Sequence, residues 1–467
     1  MANLDLDDLL NARSLGADLP LKVARANVRQ CRFATYSHSF EAFGQNRIAS
    51  GAGFVNIAEP RGSHFWLQAM MGPRFIAPRM TTGKHGGKST TFMADDAQLL
   101  PFVAECKANK INTVLFFGVV NDSISTLADT DRLIANITKI SKAITDAGIL
   151  FVITDDLPAG PGSTTSYTRD AAKLAGLNRY QRWAMFELPN LNPLVLAVPV
   201  YSKFVSRTGT TGVPADNSLF DAADLMHPNV KGHARYALEI YKVLDKLFPQ
   251  RVNLSNIDNA GGYSATLNKR GSLIGNGMFD GDNGSGRATN WGSGGPAAGL
   301  TATMSKLTDP DGTPVQQVAI TGTATAVGDF QFTRTSGTGN FEPGDTHYGE
   351  AFVLVKKSDA ATGYLNLRGL IVQAACSHSS PTANYNGQAG NAIANDPFPT
   401  DLDWSQFNEG RGLYFRTPEE IIGSSWPATT PFCQLTIKLT IEAAVATDIV
   451  MQVRQADWRK ASAASGF

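Results

Sequence analysis

The sequence predicts two architectures in series: an α/β parallel sheet with helices on both faces, then an all-β sandwich. Three observations carry this. Between residues 31 and 250, continuous apolar runs alternate with stretches of helical periodicity, the pattern of parallel strands buried on both faces. From 273 onward Gly, Thr, Ser and Asn rise, and the apolar runs become short and alternating. A chain of 467 residues is also longer than one ordinary core accommodates.

In chain order, residues 1–30 precede the first core strand and read as an N-terminal extension, either a packed strap or an attachment arm. Cys31 to Tyr36 is the first strand. Residues 95–108 carry Leu99, Leu100, Val103 and Ala104 at helical spacing before a strand over 111–117. Residues 127–147 place Leu133, Ile134, Ile137, Ile140 and Ile144 on one helical face, and Gly148 ends that helix. A strand over 149–154, a helix around 168–188, a strand over 194–200 and a helix over 232–247 complete the α/β block of residues 31–250. Residues 251–272 form a polar linker. The β-sandwich of residues 273–467 has strands expected at 315–320, 329–333, 348–355, 364–372, 434–441 and 448–454.

Composition narrows the function. Formal net charge is zero, which argues against nucleic-acid binding driven by bulk charge. No run approaches the ~20 apolar residues that cross a bilayer, so no membrane partner is expected. The acidic N-terminus has no apolar signal region, so a cytoplasmic, released or particle-associated protein is expected. Cys31, Cys106, Cys376 and Cys433 form no Cys-x-x-Cys pair and read as buried free thiols. The histidines show no metal-ligand spacing, so neither a metal nor a cofactor is expected. Gly83 to Thr90 tempts a phosphate-loop reading, but Thr82 occupies the position where that loop needs glycine.

Four blocks carry the chemistry. Ser37-His38-Ser39 follows the first strand. Gly83-Lys84-His85-Gly86-Gly87-Lys88-Ser89-Thr90 comes next. Val119-Val120-Asn121-Asp122 follows the strand over 111–117. Asp224-Leu225-Met226-His227-Pro228-Asn229 precedes the last helix of the block. A serine needs an adjacent base to become a nucleophile, and a carboxylate and imidazole three residues apart supply base and orienter. Open α/β sheets bind ligands at the carboxyl ends of their strands, where these blocks fall.

In order and spacing the blocks resemble the SGNH hydrolases, also called GDSL esterases, over residues 31–250. The first block departs from the family, which has Gly-Asp-Ser where this chain has Ser37-His38-Ser39. The resemblance implies a flavodoxin-like sheet and a catalytic Ser39, His227 and Asp224. It also implies an oxyanion hole from the Ser39 amide, Gly87 and Asn121. Asp221 is an alternative carboxylate. Leu273-Ile274-Gly275-Asn276-Gly277-Met278-Phe279-Asp280, with Trp291 and with Phe341 to Phe352, resembles jelly-roll carbohydrate-binding modules. Trp291, Tyr348, Trp404 and Trp426 are then candidates for sugar stacking, each weighed against a core aromatic.

Together the resemblances imply a serine esterase that removes O-acyl, chiefly O-acetyl, groups from an acetylated polysaccharide through an acyl-enzyme. An enzyme block, a glycan-type sandwich and an N-terminal arm resemble phage tail-spike deacetylases. That implies a homo-oligomer, a trimer for a tail spike, attached to the virion by its N-terminus. The rival reading is an inactive structural or receptor-binding protein of a phage particle that keeps the hydrolase fold, because the first block is altered.

Overall fold

A computed structural model describes residues 30–39, 47–49, 54–158, 171–205, 216–223, 225–248, 271–336, 345–358, 367–377, 385–390, 396, 398–421 and 432–461. The N-terminal extension, most of the 251–272 linker, Phe341 to Gly344, Asp224 and Trp426 lie outside the described residues.

The chain divides into two compact units. The first comprises 1–43, 74–228 and 235–249, and the second comprises 44–73, 229–234 and 250–467. Segment 44–73, which the sequence places inside the 31–250 block, therefore groups with the C-terminal residues. The reason is pairing. Phe54–Ala58 lies parallel to Tyr385–Ala389, with Asn56 opposite Gly387, and strand partnership of that range leaves no mark on local sequence.

In the first unit five strands form one sheet: β1 (Cys31–Ser37), β2 (Phe75–Ile76), β3 (Thr113–Phe117), β4 (Leu150–Thr154) and β5 (Val195–Val198). Their order is β2-β1-β3-β4-β5, and every pair is parallel. That is the flavodoxin-like order, with its topological switch point between β1 and β3.

Helices cover both faces. On one, Tyr36, Val114, Phe116, Phe151 and Ile153 join a buried cluster with α1 (Asp96–Ala108), α2 (Leu127–Asp146) and α3 (Ala171–Arg182). Each large apolar side chain buried there contributes roughly 1.5–3 kcal/mol. α1 and α2 start where Asp95 and Thr126 cap them, accepting from Ala97 N at 2.9 Å and Asp129 N at 3.1 Å. α2 ends at Ala147, and Gly148 takes the positive φ (75°) its C-terminus requires. α3 runs on through a wider π turn, Trp183–Glu187, into Leu188–Leu191. On the other face α4 (Val230–Leu247) presents Tyr236, whose ring meets Phe117 at 5.4 Å and whose hydroxyl is 3.1 Å from Thr154 Oγ1.

The second unit is a pair of sheets. One runs in the order Leu413–Arg416, Thr346–Lys357, Ala446–Lys460, Pro314–Thr323, Leu300–Thr308, with Glu420–Ile421 paired to Thr346–Lys357. The other runs Arg47–Ala49, Phe54–Ala58, Tyr385–Ala389, Leu367–Ser377, Phe432–Ile441, Gly328–Ser336, Gly292–Gly294. All pairs are antiparallel except the one joining Phe54–Ala58 to Tyr385–Ala389. Val318, Ile320, Val353, Met451 and Val453 of the first sheet are buried, as are Leu370, Val372, Leu435, Ile437 and Leu439 of the second. At Gly349 the sheets come so close that a Cβ would sit 2.8 Å from Ala374 and 2.9 Å from Leu435.

One expectation changes, and one open choice is decided. Cys31 and Cys106 are buried free thiols, but Cys433 is disulfide-bonded. Trp291 and Trp404 are core aromatics: Trp291 is 2% exposed and stacks on Phe332 at 4.8 Å, and Trp404 is 1% exposed. Neither offers a face to a sugar. Tyr348 lies under the Arg416 guanidinium, 3.7 Å from its ring centre.

Candidate active site

The carboxyl end of β1 is held from both sides. Ser37 lies opposite Phe117 of β3, and His38 N donates to Phe117 O at 3.1 Å. On the other side Ser37 N donates to Gly83 O (3.0 Å) and His85 N donates to Ser37 O (2.8 Å). This close approach needs glycine at 83: φ is +86°, and a Cβ would lie 2.7 Å from the Phe102 ring and 2.8 Å from Thr35 O. β1 therefore delivers residues 38 and 39 to the switch point on a rigid stem.

Ser39 follows, partly exposed, and its Oγ lies 2.8 Å from His227 Nε2, 188 positions away in the chain. With the ring proton on Nδ1, Nε2 accepts from the hydroxyl. His227 sits in a tight loop. Phe220 bridges Pro228, Asp221 N donates to His227 O at 2.8 Å, and Leu225 N donates to Asp221 O at 2.8 Å. Leu225 takes φ +52° inside this loop. Asp221 Oδ1 accepts from Ala223 N at 2.9 Å, so the alternative carboxylate braces its own turn.

Gly87 is exposed on a turn closed by Lys88 N donating to His85 O at 3.0 Å, with φ +69° and open space where a Cβ would stand. Asn121 follows β3 and donates from Nδ2 to Lys88 O at 3.2 Å, which links its loop to the one that carries Gly87. The neighbouring Asp122 carboxylate, nearly buried, accepts from Thr90 N and Thr90 Oγ1, each at 2.8 Å. Burial raises its pKa, and those two bonds act the other way. Sequence reasoning passed over Asp122 and Gly83. A glycine ahead of a small-residue turn was the available signal for Gly83.

The structure thus brings Ser39 to His227 and ties Asn121 to the loop of Gly87. His38, next to Ser39, is buried against Phe117 at 5.1 Å. Burial, reinforced by nearby His227, pushes its pKa down to about 3, so it is neutral near neutral pH. Ser37 Oγ is fully buried and has no hydrogen-bond partner among the described residues. Among those residues no group of three or more His, Cys, Asp or Glu could hold a metal, and no helix is long and apolar enough to cross a membrane.

No known family profile and no curated protein matches the chain. Solved structures do, at low identity. An acetyl xylan esterase is 13% identical over 46% of this chain and 99% of its own, with a TM-score of 0.32. A carbohydrate-binding module of the β-sandwich superfamily is 13% identical over 38% of this chain and 62% of its own, TM-score 0.23. The enzymatically active domain of tailspike protein 4 of bacteriophage CBA120 is 9% identical over 39% of this chain and 22% of its own, TM-score 0.24. The chain thus spans less than two thirds of the last two structures.

Proposed function

We propose that the protein is a serine esterase that hydrolyses O-acyl esters through an acyl-enzyme. One observation carries this reading: Ser39 Oγ lies at hydrogen-bond distance from His227 Nε2, at the carboxyl edge of a parallel sheet. In the proposed mechanism His227 takes the Ser39 proton as Oγ attacks the ester carbonyl. The carbonyl oxygen becomes an oxyanion that accepts from the Ser39 amide, the Gly87 amide and Asn121 Nδ2. Collapse breaks the carbon–oxygen bond to the alcohol, which leaves with the proton returned by His227. Water, deprotonated by His227, then attacks the acyl-Ser39, and the acid leaves as Ser39 regains its proton. Asp224 is assigned the orienting contact to the imidazole.

The finer assignment is an acetyl ester on a polysaccharide, with the sandwich unit binding the glycan and a phage tail as the setting. It rests on the appended sandwich and is fold-level analogy. With Trp291 and Trp404 committed to the core, the sugar-binding surface would be built from other residues.

Incubation with an active-site serine phosphonate, followed by peptide mapping, tests the chemistry. Labelling of Ser39, together with turnover of a small chromogenic acetate, is the expected result. Absence of both assigns the chain to the rival class, a structural or receptor-binding protein with a hydrolase fold. Comparing an acetylated glycan with longer acyl esters then tests the substrate.

A further inference from the structure

We propose that Lys88 is a specificity-determining residue: its ammonium receives a carboxylate that the substrate carries close to the scissile ester. This deepens the esterase reading and rests on it.

Lys88 follows Gly87 directly, and its backbone oxygen accepts from Asn121 Nδ2, so its main chain adjoins two of the assigned oxyanion donors. The space at this turn is open: nothing stands within 4 Å of where a Cβ would be on Gly86 or Gly87. The Lys88 side chain is exposed, and its Nζ sits over the Phe92 ring, 5.1 Å from the centre. Phe92 is itself 38% exposed. Its ring meets His85 at 5.7 Å, and His85 N donates to Ser37 O at the end of β1. The ammonium is thus tied to the site through its backbone and through an aromatic pair. A ring face attracts a cation but does not cancel its charge. Among the described residues no carboxylate pairs with Lys88.

The charge along this stretch has one sign. Residues 75–94 hold three Lys or Arg, namely Arg79, Lys84 and Lys88, and no Asp or Glu, and all three are exposed. Acids on adjoining elements are engaged with protein donors. Glu105 accepts from Thr81 N at 2.7 Å, from Thr82 N at 2.9 Å and from both threonine hydroxyls. Asp122 is taken by Thr90, and Asp95 by Ala97 N. An exposed surface of one sign draws a ligand of the other. Lysine is a compact charge on a flexible four-carbon stem, which suits a carboxylate that approaches at varying distance. Such a carboxylate comes from the sugar, as in a uronic acid, or from the far end of the acyl group, as in a succinyl ester. A neutral acyl group on a neutral glycan leaves the ammonium with no partner.

The test uses the full chain and reads ratios of kcat/KM. For the sugar, the pair is O-acetylated polygalacturonate and its methyl ester, the same glycan without the charge, followed by acetate release. For the acyl group, the pair is 4-nitrophenyl hemisuccinate and neutral 4-nitrophenyl butyrate. Wild type should favour the charged member of one pair about three- to fivefold, the size of one exposed ion pair, and that pair identifies the source of the carboxylate. Lys88→Glu should bring the ratio below one, and about 0.5 M sodium chloride should shrink the wild-type preference. If Lys88→Glu fails to fold, Lys88→Gln replaces it and should bring the ratio near one. A wild-type ratio near one in both pairs, or a ratio untouched in the folded variant, overturns the proposal. If the wild-type protein hydrolyses no ester, the esterase reading falls separately. Equilibrium binding of oligogalacturonate and of succinate then decides. Weaker binding of either one to Lys88→Gln than to wild type upholds the role of Lys88, and equal affinity or no binding overturns it.

Discussion

Asn121 spends one of its two amide hydrogens on the Lys88 carbonyl, at 3.2 Å, and so has one left for a ligand. The bond fixes which way the amide faces. Replacing Asn121 with Ala should lower kcat by roughly 10²–10³, with little change in KM, since an oxyanion donor acts chiefly in the transition state. Steady-state kinetics on a chromogenic acetate checks this. A large rise in KM at normal kcat would make Asn121 a substrate-binding residue only.

Ser39 and Ser37 should separate cleanly. Ser39→Ala should abolish hydrolysis and phosphonate labelling while leaving the thermal transition in place. Ser37 Oγ is buried with no hydrogen-bond partner among the described residues, so Ser37→Ala removes a desolvated hydroxyl at little cost. Its stability should stay within about 0.5 kcal/mol of wild type and its activity close to wild type. Labelling at Ser37 would overturn the assignment.

Gly83→Ala should be among the costliest single-methyl additions in the first unit. The new Cβ would meet the Phe102 ring and, at 2.8 Å, the Thr35 carbonyl, which is backbone and cannot swing aside. Strain at positive φ and overpacking together should cost about 2–5 kcal/mol. Calorimetry should show a fall in Tm of roughly 5–15 °C. Gly87→Ala, with open space at its Cβ, should cost less despite its φ of +69°.

Stability should fall in mild acid through two buried histidines. Burial lowers the His38 pKa to about 3 and the His347 pKa to about 4. Unfolded, both titrate near 6.5. Below that pH the unfolded chain binds protons the folded chain refuses, so the native state loses stability as pH drops from ~6.5 toward those lower values. Asp155 acts oppositely. Burial raises its carboxyl to about 6, against the bonds it accepts from Val200 N and Tyr201 N, so over ~6 to ~4 its protonation favours the folded state. Urea melts at pH 7.5 and 5 should show a smaller acid loss in His38→Asn than in wild type. An equal loss would mean that His38 charges without penalty.

Much of this was legible because apolar period is a local property. β3, β4 and β5 are near-continuous apolar runs, and α2 announces itself through Leu133, Ile137, Ile140 and Ile144. The order of the Ser39, Asn121 and His227 blocks pointed to one edge of one sheet, and the Ser39–His227 distance is a property of that edge. What stayed hidden depends on pairing. β2 is two residues long, too short for any period. Leu300–Thr308 alternates with small polar residues and half-exposed positions, so no apolar stripe marks it. Phe54–Ala58 looks like a strand of the block around it, and only its partner, Tyr385–Ala389, assigns it elsewhere.

The parallel ladder between Phe54–Ala58 and Tyr385–Ala389 bears on how the protein is made. Ribosomes add about 5–20 residues per second, so the earlier strand leaves the exit tunnel roughly 15–60 s before its partner exists. Throughout that interval a nascent chain carries an unpaired β edge directly after the stretch that holds Ser39, open to neighbouring chains on the same messenger. Expression yield should therefore respond to translation speed and to chaperones that shield extended segments. The chain must extend past Tyr385–Ala389 before Phe54–Ala58 has this partner.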